Sequence, residues 1–154
     1  VLYFVHTISY AIIMQTFLPY RDFTKTAKAL DYRRLGKQRV EARQILDIIS
    51  NNKIGAWSNH PAVNMWRGYS EALSEYSDCI ISEWIKRGYR NNMEINGIIA
   101  FTYPPWLGDE NFHLSHRSNL LRKAPDFYSK IWPDVPNNLP YVWPVTKKVV
   151  VSAI

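Results

Sequence analysis

The chain has 154 residues, 47% hydrophobic and 21% charged, which suits one compact domain and is too short for two ordinary ones. Nineteen Lys and Arg against 13 Asp and Glu give a net charge of +6, a balance that favours a polyanionic partner. A single cysteine, Cys79, excludes an internal disulfide and a cysteine-built zinc cluster, and fits a reducing, cytoplasmic compartment with access to a nucleoid or nucleus.

Residues 1–13, "VLYFVHTISYAII", lack the basic leader and small-residue cleavage site of a signal peptide. They also fall short of the ~20 residues a membrane span needs, so no membrane association is expected. A β-strand is one reading. The preferred one is an extension that the working protein lacks, with the domain proper running over 14–144.

Asp22 is placed to cap a short helix through "FTKTAKAL". The next helix is expected from Tyr32 to Ser50, with Leu35, Ala42, Leu46 and Ile49 on one stripe and Asn51-Asn52 ending it. A third, long helix is expected through "NHPAVNMWRGYSEALSEYSDCIISEWIKRGY", capped by Asn59 or His60, with Pro61 in its first turn and Gly88 at its exit. Its apolar stripe takes in Trp66, Tyr69, Leu73, Tyr76, Ile80 and Trp84, and Cys79 reads as a structural thiol. A fourth helix is expected from Asp109 to Lys123. The stretch "APDFYSKIWPDVPNNLPYVWP" is too rich in proline to stay helical and should wrap the bundle, plugging aromatics into grooves. The tail 145–154 could add a strand. The fold class is mainly α: a single compact helical bundle with a Pro- and aromatic-rich C-terminal wrap.

The second helix carries the chemistry. "LDYRRLGKQRVEARQIL" holds Arg33, Arg34, Lys37, Arg39 and Arg43, with Glu41 the one carboxylate between Tyr32 and Leu46. At 100° per residue, Arg34 and Glu41 fall within about 20° of each other at the core–solvent border, with Lys37 about 40° beyond. Arg39 and Arg43 flank the other border. Glu41 is either one half of an ordinary Lys37–Glu41 helix pair or an acid/base set among phosphate-holding cations.

Further cations that could extend this surface include Arg67, Arg117, Arg122 and Lys123. His113 and His116 have helical spacing, but without a third ligand motif no metal is expected, and phosphate contact or capping is the reading. His60 sits where a loop enters the longest helix, near the dipole end that attracts phosphate, and plain capping is the alternative. Trp66 and Tyr69 suit base stacking or the core. No Gly-rich phosphate loop or nucleophile elbow is present.

Taken in order, "MQTFLPY…LDYRRLGKQRVEA…NHPAVNMW…PPWLGDENFHLSHRSNLLRK…LPYVWP" resembles the pyrimidine-dimer DNA glycosylases of the phage endonuclease V type, over about two-thirds of the chain. The closer similarity is to a cellular or large-virus branch. The resemblance implies an N-glycosylase and abasic-site (AP) lyase that attacks the sugar C1′ with an N-terminal α-amine, assisted by a glutamate. Glu41 falls on the glutamate position, Arg34 where the phage enzyme has a histidine, and His60 on a matching histidine. The implied catalytic set is Glu41, Arg34 and an amine at Met14 or Gln15. The implied DNA contacts are Arg33, Lys37, Arg39, Arg43, His60, Arg67, His116 and Arg117. An α-amine of pKa about 8 is roughly a tenth neutral at pH 7, several hundred times more than an ordinary lysine. The departure from the pattern is Met14-Gln15 at the amine, where methionine is commonly retained. Residues preceding Met14 would block it, and the ε-amine of Lys37 is then the fallback. No cofactor, no obligate protein partner and a monomer acting on damaged duplex DNA are expected. The alternative is a non-catalytic nucleic-acid-binding module on the same fold, or a protein-interaction domain whose charge is incidental.

Overall fold

The computed structural model describes residues 14–144, and the readings of residues 1–13 and of a strand in 145–154 lie outside them. Among the described residues six helices form: α1 (Phe23–Ala29), α2 (Tyr32–Ser50), α3 (Pro61–Asn64), α4 (Ser70–Lys86), α5 (Glu110–Lys123) and α6 (Pro125–Tyr128). No strand occurs among the described residues.

The helix starts follow from their capping chemistry. Asp22 accepts from the Lys25 N–H at 2.8 Å, His60 Nδ1 from the Ala62 N–H at 3.0 Å, and Asp109 from the Asn111 N–H at 2.9 Å. Asp31 precedes α2 but makes no side-chain cap, because its carboxylate is engaged elsewhere. The Tyr128 hydroxyl donates to it and accepts the Asp31 N–H at 2.9 Å, tying the start of α2 to α6. Arg34 pairs with its other oxygen at 3.2 Å.

The long third helix is divided. Residues 65–69 turn between α3 and α4, with Gly68 at φ 83°, a conformation that favours glycine. Trp66 lies in this turn, fully buried, and its indole N–H donates to Thr16 Oγ1 at 3.0 Å. Its role is therefore in the core. Tyr69 is half-buried against the core.

α4 is the spine, with α2 packed along one side and α1 along another. Leu35, Ala42 and Ile45 of α2 meet Leu73, Tyr76 and Ile80 of α4 in one buried cluster, which Phe112 and Leu120 of α5 complete. Gly36 lies under the Trp84 indole, where an added Cβ would stand 3.0 Å from the ring. The C-terminal wrap follows α5 closely. Leu139 N–H donates to Ser118 Oγ at 3.0 Å and Val142 N–H to Ser115 Oγ at 3.2 Å, while Arg122 donates to the Leu139 carbonyl at 2.8 Å.

Residues 14–20 form an extended, mostly buried segment threading between α2 and α5. No neighbouring strand satisfies its backbone. Gln38, Tyr76, His113, His116 and Arg117 do so instead.

Tyr128→Phe deletes a buried hydroxyl that both donates to and accepts from Asp31. A loss of about 1–3 kcal/mol is expected in urea unfolding, with helix content unchanged.

Candidate active site

Glu41 lies midway along α2 and is only 8% exposed. Gln38, one turn earlier, donates from Nε2 to Glu41 Oε2 at 2.9 Å, and the backbone N–H of Gln15 also faces the carboxylate. Burial pushes the Glu41 carboxyl up from 4.5 to about 7. Lys37, the Gln15 N–H, Gln38 and Lys123 offset only part of that rise. An exposed carboxylate beside a lysine would move the other way, so desolvation wins here.

The cations divide into two groups. On the Glu41 flank are Lys37, Arg34 and Lys123, the last residue of α5. Lys123 is held below its ordinary pKa by desolvation of its ammonium, then by Arg34, Lys37 and Arg122, with Glu41 opposing. On the other flank Arg39 donates to Asn91 Oδ1 at 2.9 Å and lies 4.4 Å from the centre of the Trp84 ring. Arg43 donates to the Glu94 carbonyl at 2.9 Å. Arg39 and Arg43 thus moor the 91–94 loop. Arg33 and Lys37 are exposed and make no hydrogen bond among the described residues. A shallow cleft of about 670 Å³ runs over this face, lined by Tyr32, Arg33, Lys37, Arg39, Glu41 and Trp84 among others. Tyr32 stacks on Trp84 at 5.7 Å between ring centres, leaving an exposed aromatic beside the cations.

Met14 and Gln15 are buried, and the Gln15 carbonyl accepts from Gln38 Nε2 at 2.8 Å. The segment therefore reaches the Glu41 neighbourhood. The Tyr141 ring of the C-terminal wrap also stands here. Its hydroxyl is pushed up by burial and sensed by Arg122, Gln15, Glu41 and Arg34.

Several expected DNA contacts have internal work. His116 is wholly buried, accepts the Leu18 N–H at Nδ1 at 2.9 Å, and is pushed by burial down to about 3, so it is neutral and has no surface for a phosphate. His113 likewise holds the Leu18 carbonyl, at 2.8 Å. Arg117 donates to the Pro19 carbonyl at 2.6 Å and pairs with Glu110. The reading of His116 as a DNA contact is therefore corrected, and Arg117 is committed to the fold. His60 caps α3 between Trp57 and Trp143, at 5.5 and 5.9 Å between ring centres. Arg67 is exposed but secures the loop before α3 through Asn64 and the Ser58 carbonyl. Among the described residues no three His, Cys, Asp or Glu side chains converge to hold a metal ion. Cys79 is half-buried, its thiol raised by burial and close to Thr24 Oγ1.

Sequence reading passed over Gln38 and Tyr141 as site residues and took Lys123 only as one of the cations that could extend the basic surface. Only Gln38 carried a clear signal: on the helical wheel it falls between Ala42 and Ile45, a polar side chain inside the apolar stripe.

The family model described as pyrimidine dimer DNA glycosylase matches residues 14–96, more than half of the chain. The chain belongs to that family. The matched stretch contains the 14–20 segment, Glu41 with its basic helix, and His60; α5 with Lys123 and the wrap lie beyond it. Neither a curated protein nor a solved structure gives a match. As a member of the pyrimidine dimer DNA glycosylases, the chain is a DNA repair glycosylase that acts on damaged DNA. No helix among the described residues is long and apolar enough to cross a membrane.

The raised Glu41 carboxyl has a consequence for stability. The folded state holds this proton to about pH 7, whereas an ordinary glutamate releases it near 4.5. Its stabilising contribution is full below the lower value and is lost as pH rises through the upper one. Relative to wild type, Glu41→Gln should therefore gain stability across that window, by up to about 3 kcal/mol. Urea midpoints of both proteins measured from acid to mildly alkaline pH check this.

Proposed function

We propose that the chain couples base removal to AP-lyase cleavage, with the α-nitrogen of Gln15 as nucleophile and Glu41 as acid and base. One observation carries the reading: Gln38 Nε2 holds both the Gln15 carbonyl, at 2.8 Å, and Glu41 Oε2, at 2.9 Å, so the backbone of Gln15 stands beside the Glu41 carboxylate. A chain starting at Gln15 would present its α-amine there. One starting at Met14 would place its amine a single residue away. The ε-amine of Lys37 remains the fallback when residues precede Met14.

In this reading the neutral amine attacks C1′ as the C1′–N1 bond breaks and the base leaves with a proton. Glu41, when protonated, supplies a proton to O4′ as the C1′–O4′ bond opens, and an iminium results. Loss of a C2′ proton to a base, for which the ionised Glu41 is placed, expels the 3′ phosphate by β-elimination. Water then hydrolyses the imine and frees the amine. A carboxyl that titrates near 7 serves both steps at neutral pH. The surrounding cations, Arg34, Lys37 and Lys123, disfavour the ammonium form of the amine and so favour the nucleophile.

Arg33, Lys37 and Lys123 are proposed to contact phosphates along the cleft, and Arg34 to set the field around Glu41 from its anchor on Asp31. Arg39 and Arg43 would shape the opposite bank. Extrusion of a nucleotide accounts for a carboxylate set deep rather than on the rim, because the reacting atom must leave the base stack to reach it.

Borohydride reduction on abasic duplex DNA tests the proposal. Chains starting at Gln15 or Met14 should form a covalent adduct that maps to their first residue. Glu41→Gln should slow cleavage by about 10²–10⁴-fold while retaining salt-dependent DNA binding. If neither chain forms an adduct, the lyase assignment fails. DNA binding that survives without nicking of irradiated plasmid would select the non-catalytic module.

A further inference from the structure

Gln38 is fully buried on the apolar face of α2, where Leu or Met would fill the space and strengthen the core. Its carboxamide makes four contacts. Oε1 lies 2.9 Å from the Phe17 N–H and 2.6 Å from the Tyr76 hydroxyl; Nε2 lies 2.8 Å from the Gln15 carbonyl and 2.9 Å from Glu41 Oε2. With two donors around the oxygen and two acceptors around the nitrogen, the amide has one satisfactory orientation. Three of these contacts explain a structural role, since they hold the 14–18 segment and tie it to α4. The fourth does not. It reaches the carboxylate on which the proposed reaction depends.

We infer that Gln38 is a positioning residue for the reaction: one rigid side chain fixes both the Glu41 carboxylate and the backbone of Gln15, and so sets the distance between acid/base and nucleophile. The inference rests on the proposed function for its chemistry, while the coupling of Gln38 to Glu41 can be measured without turnover. An error of about 1 Å in such a register costs roughly 10²-fold in rate. The Gln38 N–H also favours the ionised carboxylate and partly counters its burial. The other groups that sense Glu41 are Lys37 on the same helix, Lys123 at the end of α5, Tyr76 on α4 and Tyr141 on the wrap. Both tyrosines are raised by burial and stay neutral in the working range, so they contribute no competing charge.

Three variants separate positioning from simple packing. Gln38→Met keeps the volume and removes all four bonds. Gln38→Glu keeps the length but sets a second carboxyl against Glu41. Tyr76→Phe removes the hydroxyl that contacts both Gln38 Oε1 and the Phe17 carbonyl, and leaves the Gln38–Glu41 contact intact. In Gln38→Met, kcat should fall by about 10–100-fold with KM and DNA affinity within about twofold of wild type, and the acid limb of the pH–rate profile should move to higher pH. Gln38→Glu should move that limb further, because two adjacent carboxyls cannot both ionise readily. Tyr76→Phe should leave the limb in place even where it lowers the melting temperature. The same displacement should appear in the pH dependence of stability, which keeps the test valid for a variant with little activity. If Gln38→Met fails to fold, Gln38→Glu carries the test at acid pH, where its neutral carboxyl can still donate one hydrogen bond. A limb that stays at the wild-type position in both Gln38 variants overturns the inference and leaves the proposed function standing. A wild-type protein that forms no adduct overturns the positioning role along with the proposed chemistry.

Discussion

The fold depends on how it satisfies a buried, extended backbone that has no sheet to join. Residues 14–20 cross the interior between α2 and α5, where an unpaired amide costs about 1–3 kcal/mol. Side chains from three helices replace the missing ladder: Gln38 from α2, Tyr76 from α4, and His113, His116 and Arg117 from α5. This explains why a core of leucines and tryptophans also contains Gln38, His113 and His116. It also explains their chemical state. Each histidine must keep one ring nitrogen unprotonated to accept a backbone N–H, and burial, which lowers both, favours that form.

The same arrangement makes the candidate active site. A segment satisfied by side chains can bring its own backbone against a helix, and at Gln15 that backbone shares the Gln38 amide with Glu41. Glu41 therefore lines the cleft from a largely buried position, where desolvation dominates the carboxylate. The shift from 4.5 to about 7 corresponds to roughly 3 kcal/mol of preference for the neutral form. Lys37 and Lys123 do not cancel it. Their charge is thus poorly explained as service to Glu41 alone.

Helices were legible in the sequence because each has a local cause. Tyr32–Ser50 coincides with its apolar stripe, Asp22 caps where expected, the helix expected from Asp109 to Lys123 runs from Glu110 to Lys123, and Gly88 ends α4 with φ 88°. The break at residues 65–69 was not legible, since the apolar period runs through it. It is imposed by Gly68 and by the burial of Trp66 against Thr16, a contact between residues 50 apart. Within the site, the border position of Glu41 follows from helical geometry, though not the depth of its burial, which depends on the 14–20 segment. His116 and Arg117 misled for one reason. Polar residues on a helix suggest a ligand outside the protein, and here the ligand is the protein's own backbone.

The five cations of α2 resolve in the same way. Arg39 and Arg43 are held by Asn91 and the Glu94 carbonyl, and Arg34 by Asp31, itself held by Tyr128. Arg33 and Lys37 remain open to solvent. The helix thus divides into charges that fix the walls of the cleft and charges directed out of it. The first kind loses little by being bonded within the protein, because a moored loop and a fixed field cost no reorganisation when DNA arrives. The second kind makes no side-chain hydrogen bond among the described residues. A surface composed only of free arginines would bind any polyanion. A surface in which three of the four arginines are already committed holds its shape, and a fixed shape can select among duplexes as free charge cannot.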